Sequence, residues 1–186
     1  MNNAAAFDSF AADYDRSFTT SAIGQRLRAA VWRRLDAAFR PGDRVLELNC
    51  GTGEDAVYLG RRGVHVLATD ISTEMLTVTR AKVARAGVAG LVDVAQMPIE
   101  DLAQHRRLGG FDGALSNFGG LNCVDDLAGA ARGLAAVLRP GARVLLCVMG
   151  PAVPWEWGWY LAHGQPRTAM RRLRRGMISA RPRAPP

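Results

Sequence analysis

From residue 44 onward the chain alternates short apolar runs with longer stretches that carry an apolar side chain every three or four positions. "RVLELN" (44–49), "VHVLATD" (64–70), "LVDVAQM" (91–97), "FDGALSN" (111–117) and "ARVLLCVMG" (142–150) read as five strands. They lack the in–out alternation of a half-exposed sheet, so both faces are expected to be covered. The stretches between them, "EDAVYLGRR" (54–62), "STEMLTVTRAKVARAG" (72–87), "IEDLAQHRR" (99–107) and "VDDLAGAARGLAAVLRPG" (124–141), have helical spacing. Ser72 or Thr73 supplies an N-cap, while Gly63, Gly87 and Pro140-Gly141 supply stops. Strands joined by helices imply right-handed crossovers, a mostly parallel sheet and an α/β domain.

The flanks differ. Phe7, Phe10, Tyr14 and Phe18 are spaced for a short amphipathic helix laid on a larger body. Residues 22–39 form a second helix, with Ile23, Leu27, Ala30, Val31, Arg34, Leu35 and Ala38 near one face and Pro41-Gly42 as its stop. After the fifth strand, "PWEWGWYLAH" (154–163) predicts a helix packing its rings over the sheet edge, its start near a substrate. No sixth strand is visible, so the fifth would be an apolar edge unless a helix or partner covers it.

An apolar share of 48% and a charged share of 22% are those of an ordinary globular chain. No apolar run spans a membrane, and the N-terminus lacks a secretory pattern, so a cytoplasmic location is expected. Cys50, Cys123 and Cys147 are scattered, which suits reduced thiols and no metal site. The net charge of +7 is carried by seven arginines after Glu156, beyond which no acid occurs. The body is therefore neutral, and nucleic acid is not an expected partner; the basic tail could touch an anionic membrane surface peripherally. The oligomeric state is not legible.

The first strand–helix turn holds Gly51 and Gly53, and the second strand ends on Asp70. A nucleotide in such a fold lies over that turn, and an acid at that strand end accepts hydrogen bonds from ribose hydroxyls. Gly51-x-Gly53-x-x-Ala56 satisfies a loose dinucleotide fingerprint. However, Glu47 lies inside the first strand, and Glu54 and Asp55 follow Gly53 at once. Acids there would repel a pyrophosphate and suit a ligand with a sulfonium and an ammonium.

"ELNCGTGED" with "ATDISTEML" resembles the Rossmann-like (class I) S-adenosylmethionine-dependent methyltransferases of the small-molecule branch, from about Phe7 to Trp159. The resemblance implies a doubly wound, mostly parallel sheet with helices on both faces, here lacking the family's usual last two strands. It implies an S-adenosylmethionine-binding domain over 1–150 with a helical cap at 1–40, then an aromatic and basic helix over 151–178 and a disordered tail at 179–186. It places Glu47 near the cofactor's amino-acid end, Asn49 to Gly53 in the glycine loop, Asp70 on the ribose, and Ile71 and Met75 beside the adenine. "FAADYDRSF" matches the cap, with Tyr14 closing over the cofactor. "MPIEDL" matches the adenine edge through Ile99, and "SNFGGLN", with Asn117 and Phe118, matches the segment facing the transferable methyl. Two departures stand out: Asn49 replaces a glycine, which a left-handed backbone tolerates, and Pro98 replaces an aspartate.

The implied reaction is in-line methyl transfer to a small-molecule acceptor, in which alignment supplies most of the catalysis. No residue is assigned as a catalytic base: His65 is read as structural, His105 as solvated, and His163 as the histidine able to reach a substrate. An NAD(P)-linked oxidoreductase, and a truncated, non-catalytic methyltransferase-like protein, remain as alternatives.

Overall fold

The computed structural model describes residues 11–150 and 153–170. A short α1 (Ala11–Tyr14) runs into a π-helical turn (Asp15–Thr19) and then α2 (Ala22–Ala38). There follow β1 (Arg44–Leu48), α3 (Glu54–Gly60), β2 (His65–Asp70), α4 (Thr73–Arg85) and β3 (Val92–Gln96). A 3₁₀ segment (Ile99–Leu108) leads to β4 (Phe111–Ser116) and a 3₁₀ turn (Gly120–Cys123), then α5 (Leu127–Val137), β5 (Leu138–Leu146), α6 (Pro154–Ala162) and α7 (Pro166–Ala169). Ser21, Ser72 and Asp126 cap α2, α4 and α5, each side chain accepting from the backbone N–H three residues on.

All strand pairs are parallel, in the order β3-β2-β1-β4-β5. The chain order reverses between β2 and β4 on either side of β1, which opens a crevice at the carboxyl ends of the strands. Neighbours in β1 project to opposite faces. Val45 joins one core with Leu35, Leu59 and Leu76, from α2, α3 and α4. Leu46 joins the other with Leu102, Leu134 and Val137, from the first 3₁₀ segment and α5. Both residues are fully buried, so the strand reads as continuous apolar sequence.

Several local expectations change. The buried face of α2 is Gly24, Arg28 and Leu35, whereas Ile23, Leu27, Ala30 and Arg34 face solvent. A buried arginine held by charge and a glycine pressed on the Phe18 carbonyl decide that rotation, and apolarity alone misplaces it. Residues 99–107 are 3₁₀ rather than α-helical, broken at His105. Helix α5 stops at Val137, and β5 starts beside Phe111, then bulges through Gly141 (φ 80°) before Arg143 pairs with Gly113.

Among the described residues β5 forms an outer edge, with Val144 and Leu146 exposed. The Arg143 guanidinium donates to the carbonyls of Ala37 and Ala38 (3.2 and 2.7 Å), tying this edge to the last turn of α2. Helix α6 leaves Trp155 81% exposed and Trp159 half-exposed, so those rings do not close over the sheet. Phe7, Phe10 and the basic tail from 171 lie outside the described residues. No described helix is long and apolar enough to cross a membrane.

Candidate functional site

The turn after β1 needs left-handed backbone at Asn49 (φ 54°), Gly51 (φ 55°) and Gly53 (φ 75°). Asparagine tolerates this better than other side-chain-bearing residues, so the loop closes without a glycine at 49. Asp70 holds the turn from the next strand. Its Oδ2 accepts from the Gly51 N–H (2.8 Å) and its Oδ1 from the Ser72 N–H (2.9 Å). The Thr79 hydroxyl donates to the Gly51 carbonyl (2.8 Å) and fixes the other side of the loop.

Above this turn lies a cavity of about 450 Å³. Tyr14, Glu47, Asn49, Gly51, Asp70, Ile71, Met75, Ile99, Asn117 and Phe118 all line it. Gly53 does not: a Cβ there would sit 2.4 Å from Thr79 Cγ2, so its glycine serves loop-to-helix packing. Asn117 reaches the cavity with its amide already engaged, donating to Asp55 Oδ2 (2.7 Å) and accepting from the Phe118 N–H (2.8 Å). His163 is exposed, stacks on Trp159, and is not among the lining residues. His65 and His105 are exposed as well.

Glu47 decides the electrostatic character. It is 2% exposed, its Oε2 has no hydrogen-bond partner, and it lines the cavity. Burial, and then the nearby Asp55 charge, push its carboxyl well above the ordinary carboxylate range. Such a group gains most from a ligand that brings a positive, hydrogen-bonding centre.

The acids of the glycine loop behave differently from the sequence reading. Glu54 pairs with Lys82 (2.5 Å) and Asp55 with Arg28 (2.9 Å), so neither presents a free charge to a ligand. The case against a pyrophosphate rests on Glu47 instead. Asp55 also accepts from the Trp32 indole (2.7 Å), which bolts α2 to the start of α3. On the other side, Asp15 accepts from Thr52 (2.7 Å) and pairs with Lys82 (2.6 Å), holding the N-terminal cap on the loop. Burial raises the Asp15 carboxyl, but the hydrogen bonds from Lys82 and Thr52 and the lysine charge outweigh it and hold it below the usual range.

Sequence reasoning missed Arg28. It is 6% exposed, lines the cavity, and sits 4.7 Å from the centre of the Phe118 ring. No signal in the sequence marked it, since Arg28 lies off the apolar stripe of residues 22–39. Phe118 itself has φ 49°, a strained value for an aromatic residue, and meets Phe18 edge-on at 5.0 Å.

A family profile described as "Methyltransferase domain" matches residues 45–141. This chain belongs to that family. A demethylmenaquinone methyltransferase of Mycobacterium sp. (strain KMS) is 36% identical over 147 residues, covering 77% of this chain and 58% of that protein. One from Mycobacterium marinum is 34% identical over 174 residues, covering 89% and 69%. The chain thus spans about six-tenths of the length of the first curated relatives it matches. Two solved structures share the fold with TM-scores of 0.61: DhpI in its complex with SAH (24% identical, 77% of this chain, 65% of that one) and the [4+2]-cyclase SpnF (20% identical, 80% and 55%). A cyclase on the same fold shows that activity must be argued from the site.

The cofactor of this methyltransferase family is S-adenosylmethionine, and the residues present fit it. The unpartnered Oε2 of Glu47 suits an ammonium, Asp70 suits ribose hydroxyls, and buried Met75 and Ile99 offer apolar surface to a base.

Proposed function

We propose that the chain is an S-adenosylmethionine-dependent methyltransferase acting on a small-molecule acceptor. The observation that carries this is the pairing of two cavity acids: Glu47, buried with one carboxylate oxygen left without a partner, and Asp70, anchored on the glycine loop at the end of β2. In this reading Glu47 holds the cofactor's ammonium, Asp70 its ribose, Ile71, Met75 and Ile99 its adenine, and Tyr14 closes from the cap. When bound, the cofactor supplies an electrophilic methyl group on a sulfonium. The protein's task is then to orient the acceptor and exclude water. The Tyr14 and Phe118 rings supply an aromatic corner of the cavity for that purpose, braced by Phe18, whose centroid lies 5.7 and 5.0 Å from theirs. The matched relatives are named for demethylmenaquinone, and a planar acceptor of that general kind fits this corner. A location in the cytoplasm accords with a small-molecule enzyme and is part of the same proposal.

The test is mass spectrometry of ring-containing acceptors after incubation with the protein and S-adenosylmethionine. A product heavier by one methylene, formed by the native chain and lost in Asp70→Asn, supports the reading. Absence of product across the panel, from protein that binds S-adenosylhomocysteine, would leave a cofactor-binding protein without this activity.

A further inference from the structure

Helix α6 carries Trp155, Trp157, Trp159 and Tyr160, yet it packs chiefly against α7. On its inner side Trp157 and Tyr160 are half-buried, and Ala169 of α7 is buried. The Gln165 N–H donates to the Tyr160 carbonyl (2.8 Å) and closes the hairpin. The other side of α6 faces solvent. Trp155, Gly158, Trp159 and Ala162 follow the three- and four-residue spacing of one helical face, and all four are exposed. Leu161 and Met170 are about half-exposed as well. The segment leading from β5 into α6 adds exposed Val148 and Met149, and Met149 also lines the cavity. Large apolar side chains grouped on a surface mark an interaction site, whereas scattered ones carry no such meaning.

The charge beside this surface is one-sided. Glu156 is the last acid of the chain, and Arg167, Arg171, Arg172, Arg174 and Arg175 follow it. Arg167, on α7, is exposed. We propose that the α6–α7 hairpin is a membrane-binding surface, and that its partner is a bilayer with anionic phospholipid headgroups. Tryptophan suits the boundary between headgroups and acyl chains, because its ring is apolar while its indole N–H can still meet water or a headgroup. Arginines close to such a helix are drawn to the negative surface potential of anionic lipid. Nucleic acid would reward the arginines equally, but it offers nothing to Val148, Met149, Leu161 or Met170. Bilayer binding goes beyond the methyltransferase reading and is independent of it, since no cavity acid takes part. With Met149 shared between this surface and the cavity lining, docking brings the cavity's edge to the lipid.

The experiment is cosedimentation of the whole chain with vesicles of mixed phosphatidylglycerol and phosphatidylcholine, beside vesicles of phosphatidylcholine alone. The mixed vesicles should bind the chain at least about tenfold more tightly, equivalent to ~1.4 kcal/mol, and added salt should narrow the difference. Trp155→Ser and Trp159→Ser together should weaken binding to the mixed vesicles by about tenfold, with the melting temperature little changed because both rings lie at the surface. Should the double variant fail to fold, the native protein answers the same question: vesicles with brominated acyl chains should quench its tryptophan emission. No sedimentation with mixed vesicles, equal binding to both vesicle types, binding that survives the double replacement, or sedimentation without quenching overturns the proposal. A double-stranded oligonucleotide that releases the chain from the mixed vesicles would assign the arginines to nucleic acid and overturn it too.

Discussion

Gly53→Ala separates two demands that the cofactor loop makes on one position. The residue lies at φ 75°, and an added Cβ would meet Thr79 Cγ2 at 2.4 Å and Thr79 Cβ and Oγ1 at 3.0 Å. Left-handed backbone costs an alanine about 1–2 kcal/mol. Overpacking a filled site adds about 1–3 kcal/mol. Alanine's smaller unfolded-state entropy returns about 0.4–1 kcal/mol. The net destabilisation is then about 1–5 kcal/mol, centred near 3, and the displaced loop weakens S-adenosylhomocysteine binding. Gly51→Ala is the control, since φ is 55° there but no atom lies within 4 Å of the added Cβ. It should show only the backbone cost, about 1 kcal/mol. Thr79→Ser removes the clashing methyl and keeps the hydroxyl that donates to Gly51. Alone it should cost about 1 kcal/mol, but with Gly53→Ala it should recover about 1–2 kcal/mol of coupling. Urea unfolding followed by circular dichroism measures all four proteins. Equal losses at Gly51 and Gly53, or strict additivity with Thr79→Ser, would refute the packing argument.

The other predictions concern charge. Because the folded Glu47 carboxyl titrates above its ordinary value, the native state holds the extra proton as pH rises from the usual carboxylate range. Stability falls through that window, and the penalty is complete above the folded value. Glu47→Gln should therefore melt higher than the native protein at neutral pH, match it in acid, and bind S-adenosylhomocysteine at least about tenfold more weakly, a loss of ~1.4 kcal/mol. Asp55→Ala strands the buried Arg28 charge and should cost about 3–5 kcal/mol in urea; replacing both residues with apolar ones should cost less than that single change. Asp15, held below the usual range, contributes stability that is present at neutral pH and fades as pH falls through its lowered value. The melting difference between Asp15→Asn and the native chain should shrink accordingly.

The strand–helix alternation and the covered parallel sheet were legible because they follow from local pattern, and the family resemblance named ten of the residues that line the cavity. Continuous apolar strands demand covering on both faces, and the Asn49–Gly53 turn with Asp70 follows from backbone conformation and strand position. Other features depend on pairs distant in sequence. The rotation of α2 is set by Arg28 reaching Asp55, twenty-seven residues away, and an apolar-stripe reading cannot anticipate a buried ion pair. The charge of Glu54 and Asp55 looked available to a ligand until Lys82 and Arg28 were found beside them. Gly53 looked like a ligand-facing glycine because its motif position is local, whereas its constraint comes from Thr79 on another helix. The exposed rings of α6 were read as a cover because aromatic density signals burial somewhere without naming the surface it meets.

The central claim, that Asp70 gives this cavity an adenosine site and Glu47 fits it to S-adenosylmethionine rather than to a dinucleotide, is tested most directly by isothermal titration of the purified chain. S-adenosylhomocysteine and NAD are titrated in parallel, after a cooperative melt shows the protein folded. Saturable binding of the first and no heat from the second is the predicted result. Binding of NAD, or of neither compound, by the folded protein would contradict it.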